Sequence, residues 1–305
     1  MRYLILIFSI FLGALSANPL DPLARSQITV HQYYSKMIDY HQNQDWQRLA
    51  WKCKEVIADF PTSPFAREAF YYLGVAHMNL GEFEYANHAF SDYLKEDLAP
   101  KFFDQVIQYK FQIAREFDGG ARVHLFGWHK MPKWLPAYEE AIAIYDEVIT
   151  TLPRDDLAAQ SLYHKGMLFL RMEEYKKSVE SFQTLIRRFP KHPLAIDSYI
   201  GVGNAYLTEC DNDFPDVNKL ELMEINLRNF HQHFPNEPRL EEGEKMVLGM
   251  KEKLAADLLE IAEFYERTKK KKAAHIYYET ILKRYPETEA AKKSDKRLKV
   301  LDAHK

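Results

Sequence analysis

Apolar residues recur at the three- and four-residue spacing of helices that hide one face. Leu49, Cys53 and Val56 mark one such face, and Ala86, Phe90 and Tyr93 a second. Ser178, Phe182 and Leu185 mark a third, and Ala274, Tyr278 and Ile281 a fourth. Between such faces the chain repeats an aromatic or leucine followed by proline: Phe60-Pro61, Leu152-Pro153, Phe189-Pro190, Phe234-Pro235 and Tyr285-Pro286. The proline lacks an amide hydrogen and disfavours helical geometry in the residue before it, so it stops a helix. A second proline follows at Pro64, Pro193 and Pro238, where it suits the first turn of the next helix. Each motif therefore predicts a helix–helix joint.

The joints set a period of about 34 residues. Aligned on them, units begin at Val30, Ala159 and Ala255, and a further unit aligned on Gly81 begins at Arg67. The eighth position then holds Met37, Gly74, Gly166 and Ala262, and the twentieth holds Leu49, Ala86, Ser178 and Ala274. Three of the four units place small residues at both positions, which is what two antiparallel helices need where their backbones come close. Cys53, Phe90, Phe182 and Tyr278 occupy the twenty-fourth position. This order of small residue, aromatic, alanine, phenylalanine and proline resembles the tetratricopeptide repeat. Two further units are distorted. One has its second helix from Tyr138 to Pro153, set apart from a first helix near Phe102 to Phe117. The other has extra length between Thr208 and Lys219. The expected fold is all-α: a tetratricopeptide-repeat superhelix of five to six helix–turn–helix hairpins over residues 28–301. Neighbouring hairpins bury one another's apolar faces and the ends need polar caps.

Composition agrees. The chain has 305 residues, 47% hydrophobic and 14% aromatic, with 11 glycines and 2 cysteines. It is too apolar for disorder and too poor in cysteine for a disulfide scaffold or a four-thiolate zinc site. Cys53 and Cys210 fit helical patterns as small buried residues. The amino terminus reads Met1-Arg2-Tyr3, an apolar run from Leu4 to Leu15, then Ser16-Ala17-Asn18-Pro19. That run is too short for a helix across a bilayer, which takes about 20 residues. It reads as a signal peptide over residues 1–17, followed by a linker at 18–27. The expected mature protein is soluble and lies outside the cytoplasm. Residues 302–305 form a short tail. The net charge of −3 hides an asymmetry, because Glu266 to the end carries 13 Lys and Arg against 6 Asp and Glu. Such a run reads as a solvated helix face, and no nucleic-acid partner is expected.

Two surfaces stand out. The first is an insert over residues 118–136, where Arg122, Phe126, Trp128 and Trp134 crowd between two helices. Long connections rich in aromatics and cations are often contact surfaces; the alternative is that the rings pack under the loop. The second follows from the repeat resemblance, in which certain first-helix positions line an inner groove. The fifth position holds Tyr34, Tyr71 and Tyr163, a ladder suited to an extended peptide. No metal site, cofactor or catalytic motif is expected. His124 and His129 lack partners for a shell, and there is no nucleophile elbow or phosphate loop.

The last unit narrows the family. It reads Leu258-Leu259-Glu260-Ile261-Ala262-Glu263-Phe264-Tyr265, then Lys272-Ala273-Ala274, then Ile281-Leu282-Lys283-Arg284-Tyr285-Pro286. With the amino-terminal signal and the Phe-Pro-x-x-Pro joints, it resembles the outer-membrane assembly lipoproteins of the BamD, ComL or YfiO type. The resemblance implies a non-enzymatic periplasmic scaffold at the inner face of the outer membrane. It places client segments at Tyr34, Tyr71 and Asn79, and the central barrel subunit at Glu263, Arg267 and Lys270. The sequence departs from that family at Ala17-Asn18, where a lipidated cysteine is usual. The alternative is a periplasmic repeat adaptor of a peptidoglycan-associated complex. A third reading is a hydrolase with an unusual site in the groove.

Overall fold

The computed structural model describes residues 30–95, 100–124, 133–212 and 216–302. The expected signal peptide and linker lie outside them. Among the described residues there are 13 helices and one two-stranded hairpin. The chain divides into an amino-terminal unit up to Ile107 and a carboxyl-terminal unit from Gln108.

The amino-terminal unit contains helices α1 (Val30–Gln42), α2 (Trp46–Asp59), α3 (Pro64–Asn79), α4 (Phe83–Lys95) and the first turn of α5 (Phe103–Asp118). Met37, Leu49, Cys53, Val56, Ala69 and Ala76 form its buried core. Ser63 caps α3 by accepting from the Phe65 amide, and Pro64 sits in the first turn as the joint motif predicts.

The carboxyl-terminal unit takes the rest of α5, a short hairpin, and eight helices. The hairpin pairs β1 (Arg122–His124) with β2 (Lys133–Pro136) antiparallel, with an irregularity between Val123 and His124. It is the one departure from helix among the described residues, and it closes the base of the insert. The helices are α6 (Tyr138–Thr151), α7 (Asp156–Arg171), α8 (Tyr175–Arg188), α9 (Pro193–Asn212), α10 (Val217–His233), α11 (Leu240–Arg267), α12 (Lys271–Arg284) and α13 (Glu289–Asp302).

The joints behave as the sequence implies. Phe60, Leu152, Phe189, Phe234 and Tyr285 each end a helix, and each donates its amide to the carbonyl four residues back. The turns inside four of the hairpins share a regularity. Gln44, Gly81, Glu173 and Lys269 occupy the same repeat position, and all have positive φ. Only one is glycine, so the other three carry the cost of a side chain in left-handed backbone.

Two features differ from the expected hairpins. The joint at Phe234-Pro235-Asn236-Glu237-Pro238 opens a single helix of 28 residues, not a short first helix. Its first half buries Leu240, Val247, Met250 and Leu254, and its second half buries Leu259 and Ala262. The buried stripe thus turns part-way round the helix, and α11 serves two neighbours in succession. Nothing between Leu240 and Leu254 stops it, since Gly243 and Gly249 are tolerated within a helix. The second feature is α13, a terminal helix that buries Ala290, Ala291, Leu298 and Leu301.

Candidate protein-interaction surfaces

In the amino-terminal unit, α1 and α3 bring Tyr34 and Glu68 together. The Tyr34 hydroxyl donates to the Glu68 carboxylate at 2.6 Å. Burial and that carboxylate together push the phenol's pKa well above its ordinary value. The Tyr34 ring lies 4.6 Å from Phe65. Lys101 reaches the other oxygen of Glu68 at 3.5 Å. Tyr71 stacks on Phe102 at 4.0 Å, and the Phe102 amide donates to the Tyr93 hydroxyl at 2.9 Å. Asn79 is exposed at the end of α3 and donates to the Val75 carbonyl.

In the carboxyl-terminal unit, Tyr163 sits 5.8 Å from the Phe182 ring. All three ladder tyrosines are half-buried, each with an aromatic neighbour. The rings expected to line a groove thus also pack in the seams between helices.

The base of the insert is a charged cluster. Asp118 accepts from Arg171 and, at 3.3 Å, from the Tyr145 hydroxyl. Arg115 contacts His164, whose ring is stacked against Tyr145. Burial first, then the adjacent Arg115, pushes the His164 pKa down to about 4. The imidazole is therefore neutral at physiological pH. Arg122 is exposed on β1. Trp134 belongs to β2, whereas Phe126 and Trp128 lie outside the described residues.

The last unit presents Glu263, Arg267 and Lys270 at its surface. Lys270 sits over the Tyr265 ring, 5.7 Å from its centroid. Beneath them, Glu266 accepts from the Tyr278 hydroxyl at 2.8 Å and from Arg297. Arg297 holds the Glu266 carboxyl below its usual range, while burial lifts the Tyr278 phenol up to about 12. This hub ties α13 to α11 and α12. Ile261 and Phe264 are also exposed, Phe264 to 52%. Both residues carry part of the family resemblance, but helical spacing alone does not tell an exposed apolar residue from a seam. Among the described residues there is no cluster suited to a metal ion, and no helix is long and apolar enough to cross a membrane.

Comparison with known families falls on these helices. Residues 212–302 match the family described as YfiO, outer membrane lipoprotein, and residues 160–192 match the tetratricopeptide repeat. The fold is a tetratricopeptide-repeat array, and its carboxyl-terminal segment is similar to the YfiO family. That segment spans α10 to α13, and so includes the exposed apolar pair and the Glu266 hub. Repeat hairpins and a YfiO-type segment make the protein a protein–protein interaction scaffold.

Among solved structures, one similar chain is a tetratricopeptide repeat protein from Parabacteroides merdae, at 13% identity. The match covers 89% of this chain and 98% of that one, with a TM-score of 0.39. A second is MamA from Desulfovibrio magneticus, at 17% identity, with 71% and 95% covered and a TM-score of 0.36. A third is YrrB, described as a tetratricopeptide-repeat protein with an unusual peptide-binding site. It is 10% identical, with 73% and 95% covered and a TM-score of 0.38. No curated protein matches the chain.

Proposed function

We propose that this protein is a non-enzymatic scaffold of the bacterial envelope that serves the assembly of outer-membrane β-barrel proteins. It acts in the periplasm, at the inner face of the outer membrane. Extended client segments lie against the first helices of the repeats, touching Tyr34, Tyr71 and Asn79, with Tyr163 holding a segment in the carboxyl-terminal unit. The last unit docks on the central barrel subunit through Glu263, Arg267 and Lys270. The insert, with Arg122, Phe126, Trp128 and Trp134, gives a second partner contact.

The observation that carries this reading is the YfiO match over residues 212–302. It coincides with a stretch that leaves Ile261 and Phe264 uncovered between acidic and basic side chains. An apolar centre with a charged rim is the usual anatomy of a specific protein interface.

Affinity purification from detergent-solubilised envelopes tests the proposal. A large outer-membrane barrel subunit is expected to copurify, and Phe264→Asp is expected to reduce its recovery at least tenfold. Recovery of peptidoglycan-linked proteins without any barrel subunit would overturn the assembly role and favour a peptidoglycan-associated adaptor.

A further inference from the structure

The amino-terminal unit holds a triad whose parts come from three successive repeats. Tyr34 on α1 donates to Glu68 on α3, 34 residues later, and Lys101 ahead of α5 pairs with the same carboxylate. The carboxyl-terminal unit repeats the arrangement. Arg239 ahead of α11 engages Asp197 on α9 at 2.5 Å, and burial first, then the Asp197 charge, raises the phenol pKa of Tyr163 on α7. In both units the acid occupies the second repeat position and the cation precedes the following first helix.

The two triads differ in how firmly the cation is held. Arg239 is fixed twice, by Asp197 and by Glu242 at 3.0 Å. Lys101 stands 3.5 Å from Glu68 with its side chain 63% exposed. One oxygen of Glu68 is committed to the Tyr34 hydroxyl, and the other meets this loose contact. Aromatic rings flank both of its partners. Phe65 lies beside Tyr34 and His31, while Phe102, under the Lys101 ammonium, stacks on Tyr71. A half-buried carboxylate suits a cation by charge and hydrogen bonding, and a ring that already lies under the Lys101 ammonium adds its quadrupole.

We infer that Glu68 is a specificity residue that selects extended segments presenting a lysine or arginine, whose cationic head displaces Lys101. The carboxyl-terminal triad, closed by Arg239, makes no such exchange. The inference rests on the groove reading above and names the chemistry that the groove prefers.

The probe is a set of three decapeptides of alternating apolar and polar residues, identical except for Lys, Gln or Glu at one central polar position. Binding to the purified protein is measured by calorimetry. The Lys peptide is expected to bind about tenfold more tightly than the Gln peptide, in line with a charge-assisted hydrogen bond. Glu68→Gln should abolish that difference and leave the Gln peptide unaffected, with circular dichroism confirming the fold. Lys101→Ala should tighten the Lys peptide further by removing its competitor. Asp104→Asn, which removes an exposed charge elsewhere in the unit, should leave the preference intact. Equal affinity of the wild-type protein for the Lys and Gln peptides would overturn the cation inference while leaving the groove reading standing. Failure of every peptide to bind would overturn both.

Discussion

Gly166→Ala destabilises the carboxyl-terminal unit by about 2 kcal/mol, although glycine-to-alanine changes inside helices ordinarily stabilise by roughly 0.5–1 kcal/mol. The reason is Phe182. Its ring is fully buried and lies against two helices at once. A Cβ on Gly166 would stand 2.7 Å from the ring's Cε1, and a Cβ on Gly201 would stand 2.7 Å from its Cε2 and Cζ. The ring is pinched between α7 and α9 and has nowhere to retreat. Gly201→Ala should cost a similar amount. Gly249→Ala, where no atom lies within 4 Å of the new carbon, should instead stabilise slightly. Urea unfolding of the three variants gives the comparison. The decisive form is a double-mutant cycle. Phe182→Ala alone costs about 3–5 kcal/mol, but in that background Gly166→Ala becomes neutral or favourable. If Gly166→Ala were as stable as the wild type with Phe182 present, the close approach of α7 and α8 would be wrong.

Removing α13 by truncation after Glu287 should cost about 5 kcal/mol. Two leucines, Leu298 and Leu301, leave the core with Ala290 and Ala291, and burying one leucine is worth about 1.5–3 kcal/mol. The apolar surfaces that α13 covers on α11 and α12 are exposed at the same time, so a lower thermal midpoint and aggregation are expected together. Leu298→Ala is the milder variant, costing about 2 kcal/mol. Arg297→Ala should cost less than about 1 kcal/mol, because its ion pair with Glu266 is half exposed to water. An unchanged melt after truncation would show that α13 is an appendage and not the cap of the repeat array.

The close approach was legible in the sequence. Gly166 and Ser178 stood out as small residues at the eighth and twentieth positions, whereas the Phe182 ring that fills the space beside Gly166 is seen only in the packing. The joints were legible for a similar reason, since proline acts locally and leaves its mark on the backbone whatever surrounds it. The left-handed turn residues were legible only at Gly81. Gln44, Glu173 and Lys269 adopt the same backbone without the residue type that announces it. The 28-residue α11 was hidden for the converse reason. Its boundary was inferred from a repeat period, but no local signal between Leu240 and Leu254 ends the helix. The hairpin of β1 and β2 rests on two segments of three and four residues, too short for any periodicity to appear. The tyrosine ladder was visible as a pattern of types. That Tyr34 faces Glu68 was not, because the partner lies one whole repeat away and only the packing of α1 on α3 brings them together.

Photo-crosslinking in living cells tests the account most directly, with a reactive amino acid placed in turn at Tyr34, Tyr71, Phe264 and Trp51. Trp51 is exposed on α2 and serves as the comparison position. The account predicts that Tyr34 and Tyr71 capture unfolded segments of outer-membrane barrel proteins. It predicts that Phe264 captures a folded barrel subunit of the assembly machinery, and that Trp51 captures neither. Capture of peptidoglycan-linked proteins alone, or identical products from Trp51 and the other three positions, would contradict it.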